Sequence, residues 1–220
     1  MKEGLFGGTF NPLHNGHIQV ISHVKNTFDI GRIHLIPSAV PPHKPFQNLA
    51  PARDRFDMID KTVASIPGLC ASDLELRRTG PSFTIDTIKQ FVDAADPGIE
   101  LYFILGTDAF FDMDTWKQTC EIFKRINIII MTRAGEKRKS REIADFLASQ
   151  VPCTHRFDEA SMTFYQPGLK PELKSVYICK TPEIQISSTL IRHRVKNNQS
   201  IHSLVPGPVE DIIIKKGLYL

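Results

Sequence analysis

Short runs of apolar residues alternate along the chain with longer segments in which apolar residues recur at the period of a helix. The short runs have few polar interruptions, which is typical of strands in a parallel sheet covered on both faces. They predict strands at residues 4–6, 33–36, 69–72, 101–105, 127–131 and 175–178. The longer segments predict helices at residues 16–28, 52–66, 84–94, 115–123, 140–150 and 188–195.

This alternation predicts a doubly wound α/β fold, with a Rossmann-like parallel sheet, helices on both faces and a helical C-terminal part. Such sheets bind ligands at the carboxyl ends of their strands. Two stretches depart from the pattern. Residues 37–51 contain five prolines and predict an ordered loop, and residues 154–174 have weak periodicity and predict a loop or excursion. A single domain over residues 1–220 is the simplest organisation.

Composition and charge narrow the class of protein. With 41% hydrophobic residues, 23% charged residues and a formal charge of +3, the chain is typical of a soluble globular domain and not of a protein that coats nucleic acid. Its cysteines lack the CxxC spacing of a zinc or redox motif and suit a reducing compartment; they are Cys70, Cys120, Cys153 and Cys179. No apolar run has the length of a signal-peptide core or a membrane span. We therefore expect a cytoplasmic protein without nucleic-acid or membrane partners, and a homo-oligomer stays open.

The most informative segment is GLFGGTFNPLHNGH at residues 4–17, in which a strand leads through a turn into a helix. Gly7 and Gly8 allow a ligand to approach the backbone closely, and their N–H groups can point at phosphate oxygens. His14 and His17 lie three apart where the helix begins, so both rings can face one side near a helix end that favours anions. A tight turn and two ordinary histidines would explain each part separately. The combination at these spacings is far more specific and favours a phosphate-binding site.

The string GGTFNPLHNGH resembles the signature of the HxGH nucleotidyltransferases, most closely the bacterial nicotinate-mononucleotide adenylyltransferases. That family usually carries Asp where this chain has Asn11, and the change removes a negative charge near the site. Further segments resemble the family in the same order: PPHK at 41–44, GPSFT at 80–84, GTD at 106–108, Trp116, Arg133 and ISSTLIR at 186–192. Residues 154–174 have no counterpart.

The resemblance implies a role for each matching residue. His14, His17 and Arg192 would be catalytic, with His17 donating to the α-phosphate in the transition state. The residues that it assigns to ATP are Gly7, Gly8, Thr9, Phe10, Gly106, Asp108, Ile186, Ser187, Ser188 and Thr189. Those that it assigns to the mononucleotide are His43, Lys44, Thr84, Trp116 and Arg133.

The implied reaction is attack of the phosphate of nicotinate mononucleotide on the α-phosphorus of ATP, which gives deamido-NAD and pyrophosphate in NAD biosynthesis. A phosphate monoester is already largely dianionic at pH 7, so the reaction needs neither a general base nor a Ser or Cys nucleophile. The sequence shows no carboxylate cluster for a protein metal site. We expect Mg²⁺ to arrive with the ATP phosphates.

Several alternatives stay open at the level of sequence. The same chemistry could use nicotinamide mononucleotide or phosphopantetheine, and a catalytically silent nucleotide-binding module could share the fold. Trp116 could be a core residue, Asp108 a helix N-cap and Arg192 an exposed helix charge. An aminoacyl-tRNA synthetase with the same motif is disfavoured, because 220 residues leave no room for an anticodon-binding body.

Overall fold

The computed structural model describes residues 1–40, 49–133, 140–150, 156–167 and 173–220, and the side chain of Arg133 lies outside that description. Its strands are β1 (Lys2–Gly8), β2 (Arg32–Pro37), β3 (Leu69–Ala71), β4 (Glu100–Gly106), β5 (Asn127–Arg133), β6 (Arg156–Asp158), β7 (Thr163–Tyr165) and β8 (Val176–Thr181). Its helices are α1 (Asn15–Thr27), α2 (Ala52–Val63), α3 (Thr84–Ala94), α4 (Thr107–Phe111), α5 (Thr119–Arg125), α6 (Ser140–Gln150), α7 (Ser188–Lys196) and α8 (Gly207–Lys216), with a 3₁₀ helix at Asp112–Thr115.

The chain forms two compact units, each assembled from segments that are distant in sequence. The first unit consists of Met1–Leu5 and Phe83–Glu183, and the second consists of Phe6–Ser82 and Ile184–Leu220. β1 therefore contributes its first residues to the first unit and its last residues to the second.

In the first unit the strands follow the order β1-β4-β5-β8-β7-β6. β4, β5 and β8 are parallel, with Ile104 opposite Ile129 and Ile130 opposite Ile178. Ile129 and Ile130 are fully buried, as expected for a parallel strand whose two faces are both covered. β7 and β6 continue the order beyond β8 as antiparallel strands.

In the second unit the strands follow the order β3-β2-β1, and β2 and β3 are parallel. α1 buries Ile21 and Val24 at helical spacing, which orients one face of the helix towards the core. α8 begins after Pro206 and ends before Gly217, whose φ of 59° is the left-handed conformation that favours glycine at a helix end. In this way the last residues of the chain return to the unit that contains α1.

The predicted α/β class, with a mostly parallel sheet and helices around it, is confirmed. Each predicted strand is present within a few residues of its expected bounds, and the predicted helices 84–94 and 140–150 are found at those bounds. Within the described ranges, no helix combines the length and the apolar character that crossing a bilayer requires.

The predicted helix at residues 115–123 is wrong in its first four residues and confirmed from Thr119 to Phe123. Trp116 is extended (φ −83°, ψ 150°), Gln118 is left-handed (φ 55°), and α5 begins only at Thr119. The Thr119 hydroxyl donates to the main-chain carbonyls of Met113 and Trp116, which fixes a turn there. Apolar periodicity does not reveal such a hydrogen bond from a side chain to the backbone. The pattern therefore predicts one continuous helix across residues 116–118, where the structure has a turn.

The loop predicted at residues 154–174 is also corrected, because its described residues contain β6 and β7. Phe157 and Phe164 lie opposite each other in this hairpin, with ring centroids 4.5 Å apart. Each strand has three residues, which is too short for alternation of polar and apolar residues to be recognised.

Candidate active site

The segment from β1 to α1 in the second unit makes a turn at residues 9–14, here called the β1–α1 turn. β1 ends at Gly8, Phe10 has a positive φ of 45°, and the Asn11–Pro12 peptide bond is cis. A Cβ on Gly8 would lie 3.1 Å from the Phe10 ring, so glycine there lets the ring fold back over the strand end. Gly7 is exposed, and Gly8 and Thr9 are half-buried beside it.

His14 and His17 cap the first turn of α1 reciprocally. The His17 N–H donates to Nδ1 of His14 at 3.3 Å, and the His14 N–H donates to Nδ1 of His17 at 3.2 Å. The two rings stack with centroids 3.6 Å apart, and the Phe10 ring meets His17 edge-on at 5.2 Å. This arrangement is a capping box in which imidazoles take the places of the usual Ser and Glu side chains.

The reciprocal bonds also determine which ring nitrogens can carry a proton. Because Nδ1 accepts a backbone N–H in both rings, the proton of each neutral imidazole belongs on Nε2. Burial lowers the pKa of His14 from 6.5 to about 4, so this ring is neutral at pH 7. The pair can therefore present two Nε2–H donors at a helix N-terminus, which is a suitable arrangement for binding phosphate oxygens.

Gly16 is the residue that makes room for this ring pair. A Cβ at position 16 would lie 3.0 Å from Nδ1 of His14 and 3.1 Å from Cγ2 of Ile184. A larger residue would therefore displace the His14 ring or its neighbour. This explains why the spacing of the motif places glycine between the two histidines.

The start of α7 contacts the β1–α1 turn within the same unit. The Ser188 hydroxyl donates to the Pro12 carbonyl at 2.9 Å, and Nη1 of Arg192 donates to the Asn11 carbonyl at 2.9 Å. Ser187 is the N-cap and accepts the Leu190 N–H, while Ile186 precedes it. Nη2 of Arg192 also lies 3.3 Å from the Thr189 hydroxyl, which adds to the contacts that place Arg192. The structure thus brings together the two segments that the sequence assigned to ATP at the two ends of the chain.

The first unit holds a second group of predicted site residues at the carboxyl end of β4. Gly106 is the N-cap of α4, and the Thr107 hydroxyl donates to the Met131 carbonyl of β5 at 3.0 Å. Asp108 is exposed in the first turn of α4, so it is not the N-cap that the sequence left as an alternative. Arg133 is the last residue of the neighbouring strand β5.

Trp116 and Thr84 also belong to the first unit. The Trp116 indole is half-buried, and its ring meets Phe103 of β4 edge-on at 6.3 Å. Thr84 is the first residue of α3, where the N-cap residue Phe83 makes no side-chain cap hydrogen bond. The backbone N–H groups of such a helix start are not used within the helix and suit a carboxylate. His43 and Lys44, the remaining predicted ligands, lie outside the described residues.

The model of the cytidylyltransferase-like family matches residues 5–194, from β1 into α7. The chain belongs to the cytidylyltransferase-like family.

Relatives of this cytidylyltransferase-like chain carry one recurring name. Proteins named probable nicotinate-nucleotide adenylyltransferase from Desulfatibacillum aliphaticivorans and Geotalea uraniireducens are each 35% identical to it over 222 residues; the match spans 100% of this chain and 100% and 98% of theirs. Among solved structures, Plasmodium falciparum nicotinic acid mononucleotide adenylyltransferase complexed with NaAD has a TM-score of 0.72 at 20% identity, covering 99% of this chain and 97% of that one. The predicted family resemblance is confirmed by the sequence relatives, and the structural likeness supports the fold.

Arg55 supports the β1–α1 turn of this cytidylyltransferase-like chain and was not predicted from the sequence. Its side chain is fully buried, and it donates to the carbonyls of Thr9 (2.7 Å), Ala50 (2.9 Å) and Ala39 (3.3 Å). Burial lowers the pKa of Arg55, and the negative charges that Tyr219 and Glu75 can carry act in the opposite direction. A signal was present, because Arg55 shares its helical stripe with the buried residues Met58 and Ile59.

Asn11 and Tyr219 were also missed as a pair. Oδ1 of Asn11 accepts the Tyr219 hydroxyl at 2.8 Å and the Ala50 N–H at 3.0 Å. Burial raises the pKa of Tyr219, so its hydroxyl stays protonated and can donate. Nothing in the sequence connects two residues that are 208 positions apart. The side-chain oxygen of Asn11 therefore joins the end of the chain and the segment before α2 to the β1–α1 turn.

The described residues contain no group of three or more His, Cys, Asp or Glu that could hold a metal ion. The donors around the β1–α1 turn are imidazoles, hydroxyls and a guanidinium, which suit phosphate oxygens rather than a cation. Magnesium bound to the phosphates of the nucleotide stays a prediction.

Proposed function

We propose that this protein is a nicotinate-nucleotide adenylyltransferase that joins MgATP and nicotinate mononucleotide to give deamido-NAD and pyrophosphate. The observation that carries the proposal is the reciprocal cap of His14 and His17, in which both Nδ1 atoms accept backbone N–H groups and Nε2 is left to carry the proton of each ring at the start of α1. The names of the relatives support the acceptor. In this proposal residues 1–220 work as one nucleotidyltransferase domain in the cytoplasm.

The chemistry requires two polyanions to be brought together and the charge on the transferring phosphoryl group to be stabilised. His17 donates from Nε2 to an oxygen of the α-phosphate as negative charge grows there. Neutral His14 supplies a second donor beside it and holds the triphosphate. A neutral donor suits this role, because it does not lose a proton to the phosphate at neutral pH.

The start of α7 handles the leaving group in this proposal. Ser187 and Thr189 offer hydroxyls to the β- and γ-phosphates, and Ser188, whose hydroxyl donates to the Pro12 carbonyl, offers its first-turn N–H. Arg192 neutralises the departing pyrophosphate. The bond from Arg192 to the Asn11 carbonyl places its guanidinium against the β1–α1 turn. Gly7, Gly8, Thr9, Phe10 and Ile186 complete the backbone of the ATP site.

The remaining predicted ligands supply the other contacts. Gly106 and Asp108 contact the ribose of ATP, Trp116 stacks on the pyridine ring, and Thr84 offers its backbone N–H to the nicotinate carboxylate. His43, Lys44 and Arg133 bind the mononucleotide phosphate. Magnesium enters as MgATP, neutralises part of the phosphate charge and keeps most of its waters.

A pyrophosphate-release assay with MgATP tests the proposal, run in parallel with nicotinate mononucleotide, nicotinamide mononucleotide and phosphopantetheine. We expect release with the nicotinate compound at least about tenfold faster than with the other two, which corresponds to about 1.4 kcal/mol of discrimination. Faster release with another acceptor would keep the chemistry and reject the acceptor. Absence of release with all three would favour a silent nucleotide-binding module.

The first mutational prediction concerns His17. His17→Ala should lower kcat by about 100-fold or more, since it removes one donor to the charge that develops in the transition state. The control is His202→Ala, which removes an exposed imidazole paired with Glu210 and should leave kcat unchanged. A near-normal rate for His17→Ala, in a protein with native circular dichroism, would remove His17 from the chemistry.

A further inference from the structure

β2 and β3 of the second unit have one covered face, and the opposite face is partly open at His34 and Cys70. Ile33, Leu35 and Leu69 are buried, whereas His34 and Cys70, which alternate with them, are partly exposed. Side chains alternate between the two faces of a strand, so the buried and the partly exposed residues occupy opposite faces. β3 also stands at one end of the strand order, so no described strand pairs with its outer edge.

The register of these two strands brings a thiol and an imidazole together. His34 and Cys70 are direct partners in the parallel ladder, and Sγ of Cys70 lies 3.2 Å from Nδ1 of His34. The second contact of the thiol, to the Ile33 carbonyl, is longer at 3.6 Å. The pairing is therefore set by the backbone register, and Nδ1 of His34 lies nearer the thiol than the Ile33 carbonyl does. In the tautomer that carries its proton on Nε2, Nδ1 of His34 can accept the thiol proton.

We propose that Cys70 and His34 form an activated thiol, a site for reversible thiol–disulfide exchange with low-molecular-weight disulfides. A free thiol is only a few per cent thiolate at pH 7, and a neighbouring imidazole that takes the proton raises the reactive fraction. The site requires neither MgATP nor the proposed transferase activity. It assigns a role to a pair of residues that adenylyl transfer does not use.

The exchange step is balanced without any further reactant. The Cys70 proton passes to Nδ1 of His34, and the sulfur attacks one sulfur of the small disulfide. A new sulfur–sulfur bond forms to Cys70 while the original one breaks, and the leaving thiolate takes up a proton, directly or from the imidazolium. The small disulfide is the oxidant. One of its halves leaves as a free thiol, and the other stays bound to Cys70 in the mixed disulfide.

The experiment treats the full-length protein with oxidised glutathione at pH 7 and follows each cysteine by peptide mass spectrometry after the remaining thiols are alkylated. Cys120 is the internal control, because it is exposed and donates to the Gln150 carbonyl instead of an imidazole. We expect Cys70 to form its mixed disulfide about tenfold faster than Cys120 although it is less exposed.

The variant His34→Asn keeps a polar side chain but removes the base. It should slow Cys70 at least about fivefold and leave Cys120 unchanged. Buried Cys179 of β8 should stay unmodified in both proteins, which verifies that the first unit is intact. An unchanged circular dichroism spectrum and urea midpoint verify the second unit, and His34→Gln repeats the comparison if asparagine disturbs it. Reaction of Cys70 no faster than Cys120, or an unchanged Cys70 rate in a folded His34 variant, would overturn the proposal.

Discussion

The buried side chain of His14 affects both the proposed site and the stability of the protein. Its ring accepts a backbone N–H, stacks on a second imidazole and is neutral at pH 7 because burial lowers its pKa to about 4. The same burial has a consequence for stability. A histidine whose pKa is lower in the folded protein binds more protons when unfolded, over the pH range between the two values.

The second prediction follows from that difference. Above pH 6.5, His14 is neutral in both the folded and the unfolded protein, so its titration does not change the free energy of unfolding. Between pH 6.5 and about pH 4, His14 binds a proton in the unfolded protein but not in the folded one, and this stabilises the unfolded state. As the pH falls from about 7.5 to about 4.5, His14 should lower the free energy of unfolding by about 2 kcal/mol or more.

Urea unfolding of the wild type and of His14→Asn measures this contribution. Asparagine can still accept the His17 N–H as an N-cap, so the helix start is kept while the titrating group is removed. The wild type should lose about 2 kcal/mol more than His14→Asn over this pH range. Parallel losses in the two proteins would show that His14 does not titrate as described; His202→Asn should follow the wild type.

At the scale of elements, helix α2 does more than cover the core. Its buried residues Met58 and Ile59 belong to the core. Arg55, one turn earlier, donates to the carbonyls of Thr9, Ala39 and Ala50. One guanidinium thereby connects the β1–α1 turn with the segments that follow β2 and precede α2. Its five N–H donors make arginine better suited than lysine to this connection.

The third prediction is that Arg55→Met lowers the free energy of unfolding by at least about 3 kcal/mol, because three carbonyls lose their donor. Arg53→Met on the same helix is the matched control. Arg53 has a side chain 70% exposed and a surface ion pair with Asp57, so its loss should cost only about 0.5 kcal/mol. Equal midpoints for the two variants in urea would contradict the role of Arg55.

The fourth prediction belongs to the irregular segment between the 3₁₀ helix and α5. Trp116 is extended, half-buried and edge-on to Phe103. If it stacks on the pyridine ring, Trp116→Ala should raise KM for nicotinate mononucleotide by about tenfold and change KM for MgATP less than twofold, since stacking on a base contributes about 1–3 kcal/mol. Equal increases for both substrates would assign Trp116 to the core and not to the acceptor pocket.

At the scale of the molecule, the second unit joins residues from the two ends of the chain. Tyr219, with a φ of 69°, donates its hydroxyl to Asn11, and Arg192 donates to the Asn11 carbonyl. Lys216 of α8 contacts Asp54 of α2 in the same unit. Tyr219 therefore helps to hold the β1–α1 turn, which leads into the helix start where His14 and His17 lie.

The fifth prediction tests that long-range contact with one atom. Tyr219→Phe removes the donor to Asn11 and should lower the free energy of unfolding by about 1 kcal/mol. It should also reduce kcat severalfold while KM for MgATP changes less than twofold, because the turn keeps its shape less well in the transition state. Tyr165→Phe, at an exposed tyrosine of β7, should match the wild type. An unchanged kcat for Tyr219→Phe would show that the end of the chain does not position the site.

The predictions from sequence were most successful where the interactions are local. The fold class followed from apolar runs and helical periods, and the His14–His17 pair followed from a spacing of three residues at a helix start. The hydrogen bonds that make this pair also span three residues, so the motif itself contains both partners. Residue types at fixed short spacing are enough to specify such a unit.

Tertiary structure decided the contacts between residues that are distant in sequence. Arg55 donates to carbonyls 5 to 46 positions away, and Tyr219 donates to Asn11 across 208 positions. Cys70 contacts His34 because of the strand register. These pairs leave no periodic signal, because their partners are chosen by packing and strand order after the local elements have formed. The sequence by itself therefore determined the elements and the histidine motif, and only the tertiary structure decided which side chains hold that motif in place.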